Sequence, residues 1–275
     1  MRFALVLAAA CGWLTAAEDP REIVRRAVAH MDQNLQVARN YTFLERSATN
    51  ELDGAGKVKT RKVLLYDVTM LEGSPYRRLV GRDDHALSSE ETGNEEKKLE
   101  ASIGERRKET PKQRAQRIAD WEKRRQRLRD PLNEVLDAFD LKMAGEEPLA
   151  GRRAWIIDAV PRAGYHPRSG IARLFPKLRG KLWIDEGDYQ WVKTEAEATD
   201  TISLGWILAR LKKGARLDVE MTRVNDEVWL PKRVEARLSA RIALFKTVGV
   251  EQQTTYSNYR KFQVDSHLVS VAPAP

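Results

Sequence analysis

The chain has 275 residues, 48 Lys/Arg against 40 Asp/Glu, one cysteine and four histidines, for a formal charge of +8. A single cysteine excludes an internal disulfide framework and a multi-cysteine zinc site, and His30, His85, His166 and His267 show no i, i+4 or His/Glu ligand spacing. The positive charge is also local, because residues 105–129 hold eleven Lys/Arg and four Asp/Glu.

The amino terminus pairs Arg2 with an apolar run, Phe3 to Leu14, and the small residues Thr15-Ala16-Ala17. This pattern predicts a cleaved secretory signal peptide over 1–17, because the run is shorter than the roughly 20 residues that span a bilayer. Export to the periplasm follows as the expected location. Ala8-Ala9-Ala10-Cys11 offers a second route, lipid anchoring at Cys11. Cleavage after Ala17 leaves a mature chain without cysteine, which removes thiolate chemistry as well.

Asp19-Pro20 is a helix start, and Ile23, Ala27, Met31 and Leu35 recur at helical spacing with Val24 and Val28 beside them. From Tyr41 the period becomes two. Strands are expected at 41–47, 57–71 and 76–81, joined by turns at Asp53-Gly-Ala-Gly56 and Gly73-Ser-Pro75. Residues 84–139 interrupt this meander as a helical, basic insertion. Thr110-Pro111 opens a helix to Arg129, and Asp130-Pro131 opens a short third helix over 132–139. Strands resume at 153–160, 180–185, 189–198 and 217–222. The clearest strand is 233–244, where Val234, Ala236, Leu238, Ala240 and Ile242 alternate with Arg233, Glu235, Arg237, Ser239 and Arg241. A last strand lies near 253–262, before a frayed tail at 266–275.

The pattern predicts an α+β chain: a strongly curved antiparallel sheet or half-open β-barrel of about ten strands, with helices covering its apolar face. Residues 18–265 form one domain. Leu217, Val219, Met221, Val234, Leu238 and Ile242 are expected on the apolar concave face as a ligand-binding lining. Trp155, Trp183, Trp191, Trp206 and Trp229 fall in or beside strands, as core residues or the walls of a cavity.

No nucleophile elbow, phosphate loop or metal spacing stands out, so neither a catalytic residue, a metal site nor a cofactor is expected. The carboxylate pairs Asp83-Asp84 and Glu146-Glu147 read as solvated turn charge. Lys123, Arg124, Arg125 and Arg127, near Trp121, suit an anionic membrane surface or an acidic protein. Export argues against nucleic acid as the partner of this helix.

The hairpin Gly180-Lys-Leu-Trp-Ile-Asp-Glu-Gly-Asp-Tyr-Gln-Trp-Val-Lys193, with Val228-Trp-Leu-Pro-Lys-Arg-Val234 and Tyr256-Ser-Asn-Tyr-Arg-Lys-Phe262, resembles the periplasmic lipoprotein-sorting carrier superfamily (LolA/LolB-like). The resemblance implies a half-open barrel with a helical lid over a cavity for acyl chains, and a non-enzymatic role in binding a lipid or lipoprotein acyl chain. That superfamily also holds stress sensors that bind protein partners. A sensor or interaction module docking an acidic partner through the basic helix 111–129 is therefore the alternative reading.

Overall fold

A computed structural model describes residues 18–168, 170–203, 209–242 and 246–262. The predicted signal peptide, Trp206 and the 266–275 tail lie outside the described residues. Helix α1 (Pro20–Ala38) leads into strands β1 (Tyr41–Leu52), β2 (Val58–Leu71), β3 (Ser74–Arg82) and β4 (His85–Ala86). Helices α2 (Ser89–Lys108), α3 (Pro111–Arg129) and α4 (Val135–Ala138) follow, with a 3-10 turn, Asp130–Glu134, before α4. The remaining strands are β5 (Phe139–Leu149), β6 (Arg152–Pro161), β7 (Leu178–Asp185), β8 (Trp191–Ala198), β9 (Ile202–Ser203), β10 (Ala209–Leu211), β11 (Arg216–Val224), β12 (Val228–Ile242) and β13 (Lys246–Lys261).

The fold is α+β. Eleven strands form one antiparallel path in the order β4-β3-β2-β1-β13-β12-β11-β8-β7-β6-β5, with β9 and β10 branching from β12. The sheet curves strongly, but β4 and β5 end it as separate edges, so it is half-open rather than a closed barrel. Closure between the chain's two halves comes from β13, which runs between β1 and β12.

The predicted starts of α1 and α3 hold. Asp19 accepts a hydrogen bond from the Arg21 N–H at 3.0 Å. Thr110 and Gln113 form a reciprocal capping box at the head of α3. The apolar stripe of α1 supplies Ile23, Val24 and Ala27, each fully buried. They pack on Trp155, Ile157, Leu182 and Ile184 of the sheet and on Val135 and Ala138 of α4. This is the largest core, and it sits over the β5–β8 half of the sheet.

Two segments differ from the sequence-based expectation. The 132–139 helix is a 3-10 turn plus one helical turn, and Phe139 already begins β5. Glu146 and Glu147 therefore lie within an edge strand rather than a turn. Edge strands carry charge and proline to discourage pairing with another chain, and β5 has both, with Pro148 near its end. The acidic stretch from Ser89 is helical, because Ser88 and Glu91 form a capping box at its start.

Candidate functional site

Strict cross-strand register sorts the side chains of β11, β12 and β13 onto two faces, since opposed residues in an antiparallel pair point the same way. Leu217 opposes Ala236, and Val219 opposes Val234. Leu238 opposes Val250, and Ala236 opposes Gln252. Four of the six expected apolar residues, Leu217, Val219, Val234 and Leu238, thus share one face through the alternation of their strands. Leu217 is 43% and Leu238 39% exposed, while Val219 and Val234 are half-buried. The side chain of Ile242 lies outside the described residues.

Met221 departs from that group. A register shift falls between Glu220 and Met221, and Met221 packs with Ala154, Trp183, Val192 and Trp229 instead. Bulges of this kind re-aim one side chain while leaving the ladder otherwise intact. Alternation alone could not reveal it.

The tryptophans are structural. Trp155, Trp183 and Trp229 are buried, and Trp191 is half-buried with its indole N–H donating to Thr194 at 2.7 Å. Trp183 donates to Glu147 at 2.5 Å, and the Lys193 ammonium sits 4.1 Å from its ring centroid. Trp155 and Trp191 pack into the α1 core, whereas Trp183 and Trp229 pack with Ala154 and Val192 in a separate cluster.

The 180–193 hairpin motif has a mechanical role. Asp185 is 2% exposed and takes two hydrogen bonds from Arg152, both at 2.6 Å. It also accepts the N–H groups of Gly187 and Asp188 at 2.9 and 3.1 Å. Burial alone would raise its pKa, but the Arg152 guanidinium and the bonds around residues 187 and 188 outweigh burial and hold the carboxyl below its usual value. Asp188 accepts the Trp229 indole N–H at 3.0 Å, which ties the turn to β12. Asn34 of α1 then takes the place of a missing strand partner. Its side chain accepts the Trp229 N–H and donates to the Trp229 carbonyl, each at 2.7 Å.

The basic arm divides into two sets. Arg106 donates to the carbonyls of Leu71 and Ser74 at 2.6 and 3.1 Å, and Arg117 donates to Ser74 Oγ and the Glu72 carbonyl at 2.6 and 2.9 Å. Both clamp the β2–β3 turn, where Glu72 and Gly73 have φ of 46° and 86°. A Cβ on Gly73 would lie 2.8 Å from Ile118 Cδ1, so both the conformation and the helix above it require glycine. Arg125 donates to the Leu35 carbonyl of α1 at 3.0 Å and lies 5.0 Å from the Trp121 ring centroid. Arg129 pairs with Asp32. Lys123, Arg124 and Arg127 are exposed, with no hydrogen bond or ion pair among the described residues. Of the four predicted contact residues, Arg125 is therefore a structural strut and the other three face solvent.

Titratable groups show no assembled catalytic pair among the described residues. His30 Nδ1 lies 2.8 Å from the Asp188 carbonyl, against the Tyr189 ring. The buried Glu134 accepts from the Tyr165 hydroxyl and the Arg168 N–H, which anchors the 162–170 loop. Burial first, then Glu134, pushes the Tyr165 hydroxyl up to about 12. Among the described residues no group of three or more His, Cys, Asp or Glu side chains is placed to hold a metal ion. No helix there is long and apolar enough to cross a membrane.

No protein-family model and no curated protein matches the sequence. Solved structures do match in outline. One is a DUF1329 family protein from Desulfovibrio piger, 12% identical, with a TM-score of 0.33 over 91% of this chain and 96% of that one. A putative outer membrane lipoprotein-sorting protein domain from Vibrio parahaemolyticus is 10% identical, with a TM-score of 0.32 over 89% and 95%. A LolA superfamily protein from Nitrosomonas europaea is 10% identical, with a TM-score of 0.31 over 90% and 94%. The second and third descriptions name the superfamily that the 180–193 hairpin resembles. Superpositions this loose carry no functional weight.

Proposed function

We propose that the protein is a non-enzymatic binding protein of the cell envelope that holds an apolar ligand of the acyl-chain class along the face made by Leu217, Val219, Val234 and Leu238. One observation carries this reading: Leu217 and Leu238, two large apolar side chains, stand exposed in adjacent cross-strand rows of one face, with Ala236 between them. Single exposed leucines need no explanation, but contiguous ones on one face mark an interaction site. The α1 core covers the β5–β8 half of the sheet, and neither Leu217 nor Leu238 belongs to it. Burying hydrocarbon gains roughly 0.8 kcal/mol per methylene. Eight buried methylenes thus supply on the order of 6 kcal/mol before the costs of association. The leader-like residues 1–17 support an envelope location. Native mass spectrometry after incubation with a long-chain fatty acid tests the reading. An adduct of one fatty acid is expected, and a spectrum of bare chain alone rejects it.

A second reading is favoured by the outward set Lys123, Arg124 and Arg127, which the fold leaves unpaired while tying neighbouring arginines inward. Here the arm docks an acidic protein or an anionic membrane surface. Each basic residue contributes roughly 1 kcal/mol near an anionic membrane, less with salt. Glutamine at all three positions would then abolish retention on anionic vesicles and on an acidic peptide resin. Unchanged retention on both rejects it.

A further inference from the structure

The opposite face of the same strands sets like charges directly against each other. Arg216 stands directly opposite Arg237, and Asp218 directly opposite Glu235, in neighbouring cross-strand rows. Like charges in direct opposition are destabilising. Two such pairs of opposite sign, side by side, would be expected to neutralise one another, but among the described residues they do not. Arg237 pairs instead with Glu251, directly opposite it on β13, at 2.8 Å, and Arg216 with Glu197 at 3.8 Å. Glu235 is held by Arg233 at 3.2 Å and by Gln253. Asp218 makes no hydrogen bond or ion pair among the described residues.

These four side chains line a cavity of about 320 Å³, together with Arg61, Asn50 and Glu251. Its size lies at the lower end of the range for small-molecule sites. The Asn50 Oδ1 atom is buried there without a hydrogen-bond partner. Burial, then the carboxylates of Glu195 and Glu235, push the Asp218 carboxyl above its ordinary value. Two unsatisfied acceptors at one site, beside a cationic row, describe a site built for a molecule that brings both donors and an anion.

We propose that this cavity binds an aminoalkyl phosphate, its ammonium over the Asp218–Glu235 row and its phosphate over the opposed Arg216 and Arg237. Residues two apart on a strand place the rows roughly 6.6 Å apart, which a compact zwitterion bridges. Guanidinium groups recognise phosphate through paired N–H donors, and two opposed arginines suit its several acceptor oxygens better than they suit a carboxylate. The ligand is either the headgroup of a zwitterionic lipid or a free compound of the same chemistry. The site lies on the sheet face opposite the Leu217–Leu238 strip, so its failure and that of the acyl-chain reading are separable.

Calorimetric titration of the full chain with O-phosphoethanolamine, ethanolamine and inorganic phosphate tests the proposal. The zwitterion is expected to bind at least about tenfold more tightly than either half, and Asp218→Asn and Arg216→Gln each to weaken it about tenfold. Arg216 is exposed and Asp218 unpaired, so both variants should retain the parent circular dichroism. Co-sedimentation of wild type, but not Asp218→Asn, with phosphatidylethanolamine vesicles assigns a lipid headgroup. Binding confined to the soluble compound assigns a free ligand. The proposal falls if no saturable binding occurs below about 10 mM, if phosphate alone binds as well, or if Asp218→Asn binds like wild type.

Discussion

Replacing Arg152 with alanine should leave a carboxylate buried without its counter-ion. Asp185 is 2% exposed, and Arg152 supplies its two shortest hydrogen bonds, at 2.6 Å each. Breaking a buried pair typically costs 3–5 kcal/mol, but the Arg152 side chain is 32% exposed, so solvent screening reduces the expected loss to about 2–3 kcal/mol. With an ordinary urea dependence this moves the unfolding midpoint down by roughly 1 M. The pH dependence adds a sharper criterion. The folded-state pKa of Asp185 is lowered, so its contribution is fully present above the unfolded value of about 3.9 and is lost as pH falls through the folded value. The gap between Arg152→Ala and wild type should therefore be largest near neutrality and shrink towards acid, as the carboxylate protonates in both. Urea titrations from pH 7 to pH 3 measure this. A loss under about 0.5 kcal/mol at pH 7, or a gap that stays constant to pH 3, would refute the assignment of Asp185 and Arg152 as the brace of this turn.

Asn34→Ala removes both bonds to the Trp229 backbone and should cost about 1–3 kcal/mol in urea unfolding; an unchanged midpoint would show that water replaces the amide. Gly180→Ala places a Cβ about 2.6 Å from the Glu195 carbonyl oxygen, so a loss of roughly 1–3 kcal/mol is expected from the β7–β8 pair, read by thermal unfolding. Arg106→Ala with Arg117→Ala should free the α2–α3 arm from the β2–β3 turn, giving faster limited proteolysis within 89–129 while the sheet's circular dichroism persists. An unaltered cleavage rate would mean the clamps do not hold the arm.

How much the sequence disclosed depends on the range of the interaction. Caps and alternation are local, so α1, the head of α3 and the long strand β12 were legible. The 3.6-to-2 change of period at Tyr41 marked the first strand correctly. Edge strand β5 was not, because Gly145, Glu146, Glu147 and Pro148 carry a turn composition, and their pairing with β6 is a tertiary fact. The re-aiming of Met221 depends on a register shift that alternation within β11 cannot show. Arg125 illustrates a further limit: its charge is visible in sequence, but its partner, the Leu35 carbonyl, lies 90 residues away. The opposed arginines and carboxylates of β11 and β12 are plain in composition and invisible in meaning until register sets Arg216 against Arg237 and Asp218 against Glu235.

Titration of a fluorescent long-chain fatty acid into wild type and into the Leu217→Asp/Leu238→Asp double variant tests the apolar-face reading most directly. Both leucines are exposed, so the variant should fold as wild type does. Saturable, one-to-one binding by wild type and a loss of roughly tenfold or more in the variant is the predicted result. Equal binding by the two proteins, or none by wild type, contradicts it.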